Sequence, residues 1–190
     1  MAREPFHRMI EGFVLAGGHA SRFGANKALV RWRGRRLIDY SLDRIEELGL
    51  PARIVCPDHE PYRDWNRPLV LGERPGRGPV EGVRVALRAA ATPWALVLTA
   101  DMPGVSVPLL RILIEAMAAD AVAVVCFATG ERRHPFPGLY HRSLLEVLEQ
   151  ETPARSMMAL TERRGAVILG PDQVGVGIDL DRELWNINRP

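Results

Sequence analysis

An α/β domain with a largely parallel sheet is the fold class the sequence predicts, and three observations carry that expectation. Apolar, strand-like runs alternate with helical stretches at intervals of about 25 to 30 residues. One run, Trp94-Ala95-Leu96-Val97-Leu98-Thr99, is nearly all apolar, as in a strand buried on both faces of a parallel sheet. The first strand runs straight into glycines, the pattern of a strand that feeds a loop. At 190 residues the chain suffices for one well-buried domain, expected to span 1–190, and is too short for two large ones.

Element by element, residues 9–15 form a short apolar run that ends at Gly17-Gly18 and predicts the first strand. Leu37, Ile38, Leu42, Ile45 and Leu48 recur with helical spacing, and Gly49 and Pro51 stop that helix. Residues 53–56 and 68–71 predict a second and a third strand. A second glycine-rich stretch, Gly72-Glu73-Arg74-Pro75-Gly76-Arg77-Gly78-Pro79, opens a helix over 80–91. The apolar strand at 94–99 runs into Ala100-Asp101-Met102-Pro103. Ser106 caps a helix with Pro108 in its first turn, reaching about residue 118. A buried strand follows at 121–127, then an additional strand at 136–140, a helix over 143–149, a short helix over 156–163 and a last strand at 167–169. The chain ends Leu184-Trp185-Asn186-Ile187-Asn188-Arg189-Pro190. Trp32, Trp65, Trp94 and Trp185 read as packing residues.

Composition narrows the function class. The net charge of +2 is close to balance, with arginine knots at Arg31/Arg33/Arg35/Arg36, Arg132/Arg133 and Arg163/Arg164. Such knots read as solvated loops or as docking points for an anionic ligand or partner. No basic stripe with interleaved aromatics points to nucleic acid. Cys56 and Cys126 each follow a β-branched run and read as small buried hydrophobes, and the five histidines lack metal-ligand spacing. No secretory core or membrane-length apolar run is present, so a reduced, cytoplasmic setting without a membrane partner is expected.

The most informative residue is Lys27. It is the single lysine among 25 basic side chains, and it closes the stretch Leu15-Ala16-Gly17-Gly18-His19-Ala20-Ser21-Arg22-Phe23-Gly24-Ala25-Asn26-Lys27. A compact ammonium on a flexible stem, in place of a planar fork, is what close phosphate contacts often use. The glycines let the backbone approach a phosphate, and successive N–H groups can form an anion-binding nest. In sheets of this class, ligands bind beyond the carboxyl ends of the strands, where this loop emerges. No Ser or Thr follows the lysine, so the stretch is no P-loop, and it is not G-x-G-x-x-G either. A polyphosphate ligand is the expectation.

The same stretch resembles the L-A-G-G-x-x-x-R-x-G-x-x-K signature of the nucleotidyltransferases, specifically the MobA-like molybdenum cofactor guanylyltransferases. Gly78-Pro79-Val80-Glu81-Gly82 is similar to the family's G-P-L-x-G segment, which helps build the guanine pocket. Thr99-Ala100-Asp101-Met102-Pro103 is similar to its C-D-M-P strand end, where the aspartate holds magnesium. His134-Pro135 with Gly138-Leu139-Tyr140, Arg155-Ser156-Met157-Met158 and Asn186-Ile187-Asn188 resemble its H-P…A-L-Y, R-S-L and N-x-N stretches, the last being the pterin end. The chain departs from the family at Gly72 (usually Asp, with Glu73 alongside), at Cys56 (often Asn) and at Asn26 (usually Asp). Beyond N-x-N the family continues T-P-E where this chain has Arg189-Pro190, so the pterin end is expected to differ.

The resemblance implies a three-layer Rossmann-like nucleotidyltransferase fold with a mostly parallel sheet. It also implies transfer of GMP from GTP to the terminal phosphate of molybdopterin, with release of pyrophosphate and Mg2+ as cofactor. Lys27, Arg22 and Asp101 would then be catalytic, with Asp101 the metal ligand. Leu15, Ala16, Gly17, Gly18, Gly24, Lys27, Gly78, Pro79 and Asp101 would bind the nucleotide, and Asn186 and Asn188 the pterin. From the residues alone, Arg22 could instead pair with a local carboxylate. Asn186 and Asn188, with strand parity that points them the same way, could instead satisfy buried backbone groups, and His134 could be structural. Implied partners are GTP and molybdopterin as substrates, other molybdenum cofactor biosynthesis proteins and apo-molybdoenzymes. Two alternatives stand beside this reading: a related transferase using CTP or a sugar phosphate, and a non-catalytic protein that binds nucleotide or molybdenum cofactor.

Overall fold

The computed structural model describes residues 6–17, 26–63, 65–72, 78–117, 121–150 and 156–187. Among them the strands are β1 (Ile10–Leu15), β2 (Arg31–Trp32), β3 (Arg35–Arg36), β4 (Ala52–Cys56), β5 (Leu69–Leu71), β6 (Trp94–Thr99), β7 (Val124–Thr129), β8 (Arg132–His141) and β9 (Ala166–Leu169). The helices are α1 (Leu37–Glu47), α2 (Gly78–Ala89), α3 (Val107–Ala116), α4 (Leu145–Glu149), α5 (Met157–Thr161), α6 (Pro171–Val174) and α7 (Leu180–Glu183).

Seven of these strands form one sheet in the order β5-β4-β1-β6-β8-β7-β9. All neighbours pair in parallel except β8, which is antiparallel to both β6 and β7. The short link through Gly130, at φ +57°, makes β7 and β8 a hairpin, and a connection that short permits only antiparallel pairing. The chain winds from β1 outward through β4 to β5, then crosses back to place β6 on the other side of β1. The strand order therefore reverses between β1 and β6, the place where open sheets of this kind leave a crevice.

Alternation along β1 separates two cores. Ile10 and Val14 pack with Ile38, Leu42 and Ile45 of α1 and Leu109, Leu110 and Leu113 of α3. Phe13 and Leu15 pack with Val83 and Leu87 of α2, Leu148 of α4, and Met157 and Leu160 of α5. Helices thus cover both faces, giving three layers. The approach of α1 to β1 is close: a Cβ on Gly12 would lie 2.2 Å from the Ile45 side chain.

Several boundaries differ from the sequence expectation for identifiable reasons. Strand β7 begins at Val124, not 121, because Ala121 has φ +60° and turns the chain. Helix α2 begins two residues early, since Pro79 suits a first helical turn. The hairpin β2–β3 has no usual turn signature in the sequence because Arg33 (φ 49°) and Gly34 (φ 83°) form its turn. Such two-residue turns usually carry Asn or Asp at that first position. Its exposed arginines lie over aromatic rings, Arg33 on Trp32 at 4.4 Å and Arg35 on Tyr40 at 5.0 Å, while Arg36 lies 3.9 Å from the Trp65 centroid. Trp32 and Trp65 therefore carry guanidinium groups as well as packing, and Trp185 is exposed, contrary to its reading as a packing residue. Residue 186 lies in no strand, so the parity expected of Asn186 and Asn188 does not apply to it. Cys56 and Cys126 are buried free thiols, as expected.

One buried charge pair lies inside α2. Arg84 Nε donates to Glu81 Oε2 at 2.9 Å and Arg84 Nη2 donates to Glu81 Oε1 at 2.8 Å, with both residues buried. A buried ion left without its partner is far more costly than an apolar pair of similar volume. Glu81→Ala is expected to destabilise the fold by about 3 to 5 kcal/mol, and the double change Glu81→Leu with Arg84→Met by well under half of that. Urea unfolding of the three proteins decides; equal losses in the single and double variants would contradict the pairing.

Candidate active site

At the crest of the sheet, where β1 and β6 end side by side, a cleft of about 110 Å³ is lined by Leu15, Ala16, Gly17, Lys27, Ala28, Pro79, Thr99, Ala100 and Asp101. The strand ends are locked together because Ala100 N donates to Leu15 O at 3.2 Å. Ser41 of α1 adds a side-chain hydrogen bond to Thr99 O at 2.9 Å. On the opposite face, a Cβ on Gly82 would sit 2.8 Å from the Leu15 side chain, so α2 lies hard against the end of β1.

Asp101 is fixed from three sides. Thr99 Oγ1 donates to its Oδ1 at 2.6 Å, Lys27 Nζ donates to its Oδ2 at 2.6 Å, and its carbonyl accepts from Ile187 N at 2.9 Å. The Lys27 and Asp101 side chains remain 20% and 18% exposed, enough for a ligand to reach both. Lys27 opens a 3₁₀ turn, Lys27–Leu29, whose cap is Asn26: its Oδ1 accepts from Ala28 N at 3.2 Å. Buried Ala28 pins the turn, leaving the ammonium directed across the cleft at the carboxylate.

The C-terminal segment reaches the same place. Asp179 caps α7 through Arg182 N at 3.1 Å, and Glu183 Oε2 accepts from both Ser106 N (3.0 Å) and Ser106 Oγ (2.7 Å). Ser106 Oγ in turn accepts from Leu109 N, as a helix cap does. The Asp101–Ser106 turn is thereby clamped to α7, and Ile187 follows onto Asp101. Beside it, the buried Asn186 Oδ1 has no hydrogen-bond partner among the described residues.

Of the residues expected from the sequence, Leu15, Ala16, Gly17, Lys27, Pro79 and Asp101 line this one cleft. Gly78, at φ +67°, precedes Pro79 at the start of α2. Asn186 is one residue from the Ile187–Asp101 contact. Gly18, Arg22, Gly24 and Asn188 lie outside the described residues, as do Glu73 and Arg155. Ala16 lines the cleft without offering a backbone donor to it. Its N–H already donates to Val55 O at 2.8 Å and its carbonyl accepts from Tyr62, so its backbone has no donor for a phosphate. The Gly17 N–H makes no hydrogen bond with the described residues. Cys56 packs into the core instead of lining the cleft, and burial pushes its thiol up to about 11. His134 meets Thr129 Oγ1 at 2.9 Å across its own hairpin, a structural contact. Burial, then Arg132, moves its imidazole below the ordinary range.

Sequence reading missed Tyr62, Ser41 and the Gly104–α7 contact. None leaves a periodic signal; each depends on a partner at least 36 residues away in sequence for the polar pairs of Tyr62 with Asn26 and farther for the others.

Comparison with known proteins bears on what this cleft serves. The model of the MobA-like NTP transferase domain matches residues 12–167. The chain belongs to that family. A "Probable molybdenum cofactor guanylyltransferase" of Chloroflexus aggregans is 30% identical over 198 residues, covering 98% of this chain and 92% of the relative. A "Molybdenum cofactor guanylyltransferase" of Serratia proteamaculans is 30% identical, covering 84% of this chain and 83% of the relative. A crystal structure from Aquifex aeolicus aligns with TM-score 0.77 at 26% identity, covering 97% of this chain and 96% of the other. The molybdopterin-guanine dinucleotide biosynthesis protein A of Archaeoglobus fulgidus shares the fold, with TM-score 0.77 at 23% identity and coverage of 95% and 93%. No described helix is long and apolar enough to cross a membrane.

The clamp on Asp101 is testable at Gly104, where a Cβ would lie 2.6 Å from Arg182 O, a backbone atom that cannot swing aside. Gly104→Ala is expected to cost about 1 to 3 kcal/mol by overpacking and to speed hydrogen exchange at the Ile187 amide. Unchanged exchange at Ile187 would show that α7 does not hold that contact.

Proposed function

We propose that this protein transfers GMP from GTP to the terminal phosphate of molybdopterin, releasing pyrophosphate. The observation that carries the reading is the Lys27–Asp101 pair, 2.6 Å apart at the switch point of an NTP transferase sheet. The acceptor's phosphate oxygen forms the new bond to the α-phosphorus, and the bond from that phosphorus to the bridging oxygen of the leaving pyrophosphate breaks. Because the acceptor supplies the nucleophile, no serine, cysteine or histidine nucleophile is needed, and the work of the protein is positioning and charge stabilisation.

In this reading Lys27 leaves Asp101 for the β- and γ-phosphates as the nucleotide enters, and the Gly17 N–H donates to the same anionic oxygens. Arg22, which lies between them in sequence, is assigned to add charge. Gly78 and Pro79 place the start of α2 against the nucleoside. The unpartnered Asn186 Oδ1 offers an acceptor to N–H groups, which a pterin carries, and Asn188 is assigned with it. Among the described residues no group of three or more His, Cys, Asp or Glu could hold a metal alone. A single carboxylate suits a magnesium ion that keeps its waters and phosphate oxygens, so Asp101 is assigned as its protein ligand. When bound, Mg2+ would supply Lewis-acid polarisation of the α-phosphoryl group. The free buried thiols of Cys56 and Cys126 suit a reducing compartment, and we place the reaction in the cytoplasm.

A nucleotide panel with purified molybdopterin as acceptor, following pyrophosphate release, tests the activity: GTP is expected to be preferred, and preference for CTP would overturn the guanine assignment. Lys27→Ala is expected to lower kcat/KM by about 100-fold or more, the worth of one charge-stabilising donor. A drop under about threefold in a folded variant would remove Lys27 from the mechanism.

A further inference from the structure

Resting on that reading of the cleft, we propose that Tyr62 is a positioning residue for the nucleotide, a brace that ties the two ends of the glycine-rich loop to one hydroxyl. Tyr62 closes the 3₁₀ turn Glu60–Tyr62 and is fully buried, with its ring edge-on to Trp65 at 5.5 Å. Its hydroxyl donates to Ala16 O at 3.1 Å, where the loop departs from β1. It accepts from Asn26 Nδ2 at 2.9 Å, where the loop returns.

The direction of this chain of hydrogen bonds is fixed by counting protons. A phenol has one to give. Asn26 Oδ1 lies 3.1 Å from the same hydroxyl, yet it also accepts from Ala28 N at 3.2 Å. Sending the Asn26 amide proton to Tyr62, and the Tyr62 proton to Ala16, satisfies every group; the reverse leaves the Ala16 carbonyl without this donor. Burial pushes the Tyr62 hydroxyl up to about 12, with the Asn26 hydrogen bond opposing, so the phenol keeps its proton across the neutral range. An aspartate at 26 has no proton to donate, so the relay depends on the amide.

The consequence reaches the charge site. Lys27 is the next residue after Asn26, and its Nζ lies 2.6 Å from Asp101. Holding Ala16 and Asn26 on one oxygen sets where the lysine backbone sits before any ligand arrives. The ordering cost of Asn26 and Lys27 is then met in the free protein and not during binding. Loss of the brace should weaken nucleotide binding while leaving turnover at saturation nearly intact, because bound phosphates themselves hold Lys27.

The test uses the full chain, with GTP varied at saturating molybdopterin and hydrogen exchange of the free protein followed in parallel. Tyr62→Phe is expected to raise KM for GTP about tenfold, on the scale of one buried hydrogen bond, with kcat changed by less than about threefold. Asn26→Ala, which also removes the cap on the Lys27 turn, should raise KM at least as much, and the double variant should match Asn26→Ala alone instead of multiplying the two effects, since both changes break one relay. Exchange at the Ala28 amide should rise about tenfold in Tyr62→Phe. An unchanged KM in folded Tyr62→Phe, or single effects that multiply, would overturn the brace while the transfer reading stands. If Tyr62→Phe does not fold, Asn26→Ala carries the same KM-against-kcat test from a partly exposed position. A wild-type protein that neither binds nor turns over any nucleoside triphosphate would sink the reading and this proposal with it, even with the exchange result in hand.

Discussion

The Lys27 ammonium facing the Asp101 carboxylate across the ends of two parallel strands organises the rest of this molecule. Lys27 and Asp101 approach to 2.6 Å, yet each keeps about a fifth of its side chain exposed. Partly solvated pairs of this kind add little to stability. Stability alone therefore gives little account of the pair, and the proposed function assigns both charges to a polyphosphate and a cation. Both would be re-paired without repacking if a polyphosphate and a cation arrived together. Lysine suits the task because its compact ammonium can exchange partners, where the arginine fork would favour the bidentate carboxylate.

The surrounding fold shows what it takes to hold that pair. Strand β6 is buried almost end to end, so Thr99 and Asp101 emerge from a rigid base. Close approaches at Gly12 and Gly82 bring α1 and α2 against β1. From α1, Ser41 steadies the Thr99 carbonyl, and Thr99 steadies Asp101. The C-terminal segment adds a third support, since Glu183 grips Ser106 and Ile187 grips Asp101. Lys27 is held by different means, through a capped turn, buried Ala28 and the Tyr62 relay. The two charges are thus held by different hydrogen bonds, with α1 packed behind both.

How much of this was legible in the sequence depends on the range of the interaction. Strand β6 is legible at its boundaries because five buried residues and a half-buried Thr99 form an unambiguous run, and α1 is legible because its spacing is regular. Lys27 and Asp101 were legible from residue type and place: a lone lysine after glycines, an aspartate after a buried strand. The β2–β3 hairpin was not, because its turn places an arginine at positive φ. The four-residue helices α6 and α7 are too short to show a period. Tyr62 was illegible for a different reason: its hydrogen bonds to Ala16 and Asn26 span 46 and 36 residues, and only the sheet order brings them together. The family resemblance supplied the assignment of segments, while the geometry showed that Ala16 has no free backbone donor and that Cys56 faces the core.

Partner exchange at the crest of the sheet is tested by a crystal structure of the full chain with Mg2+ and a non-hydrolysable GTP analogue. The triphosphate is expected between the ends of β1 and β6, with Lys27 Nζ moved from Asp101 onto a phosphate oxygen and the Asp101 carboxylate turned to the ion. A nucleotide bound elsewhere, with the Lys27–Asp101 pair still closed at its present distance, would contradict it.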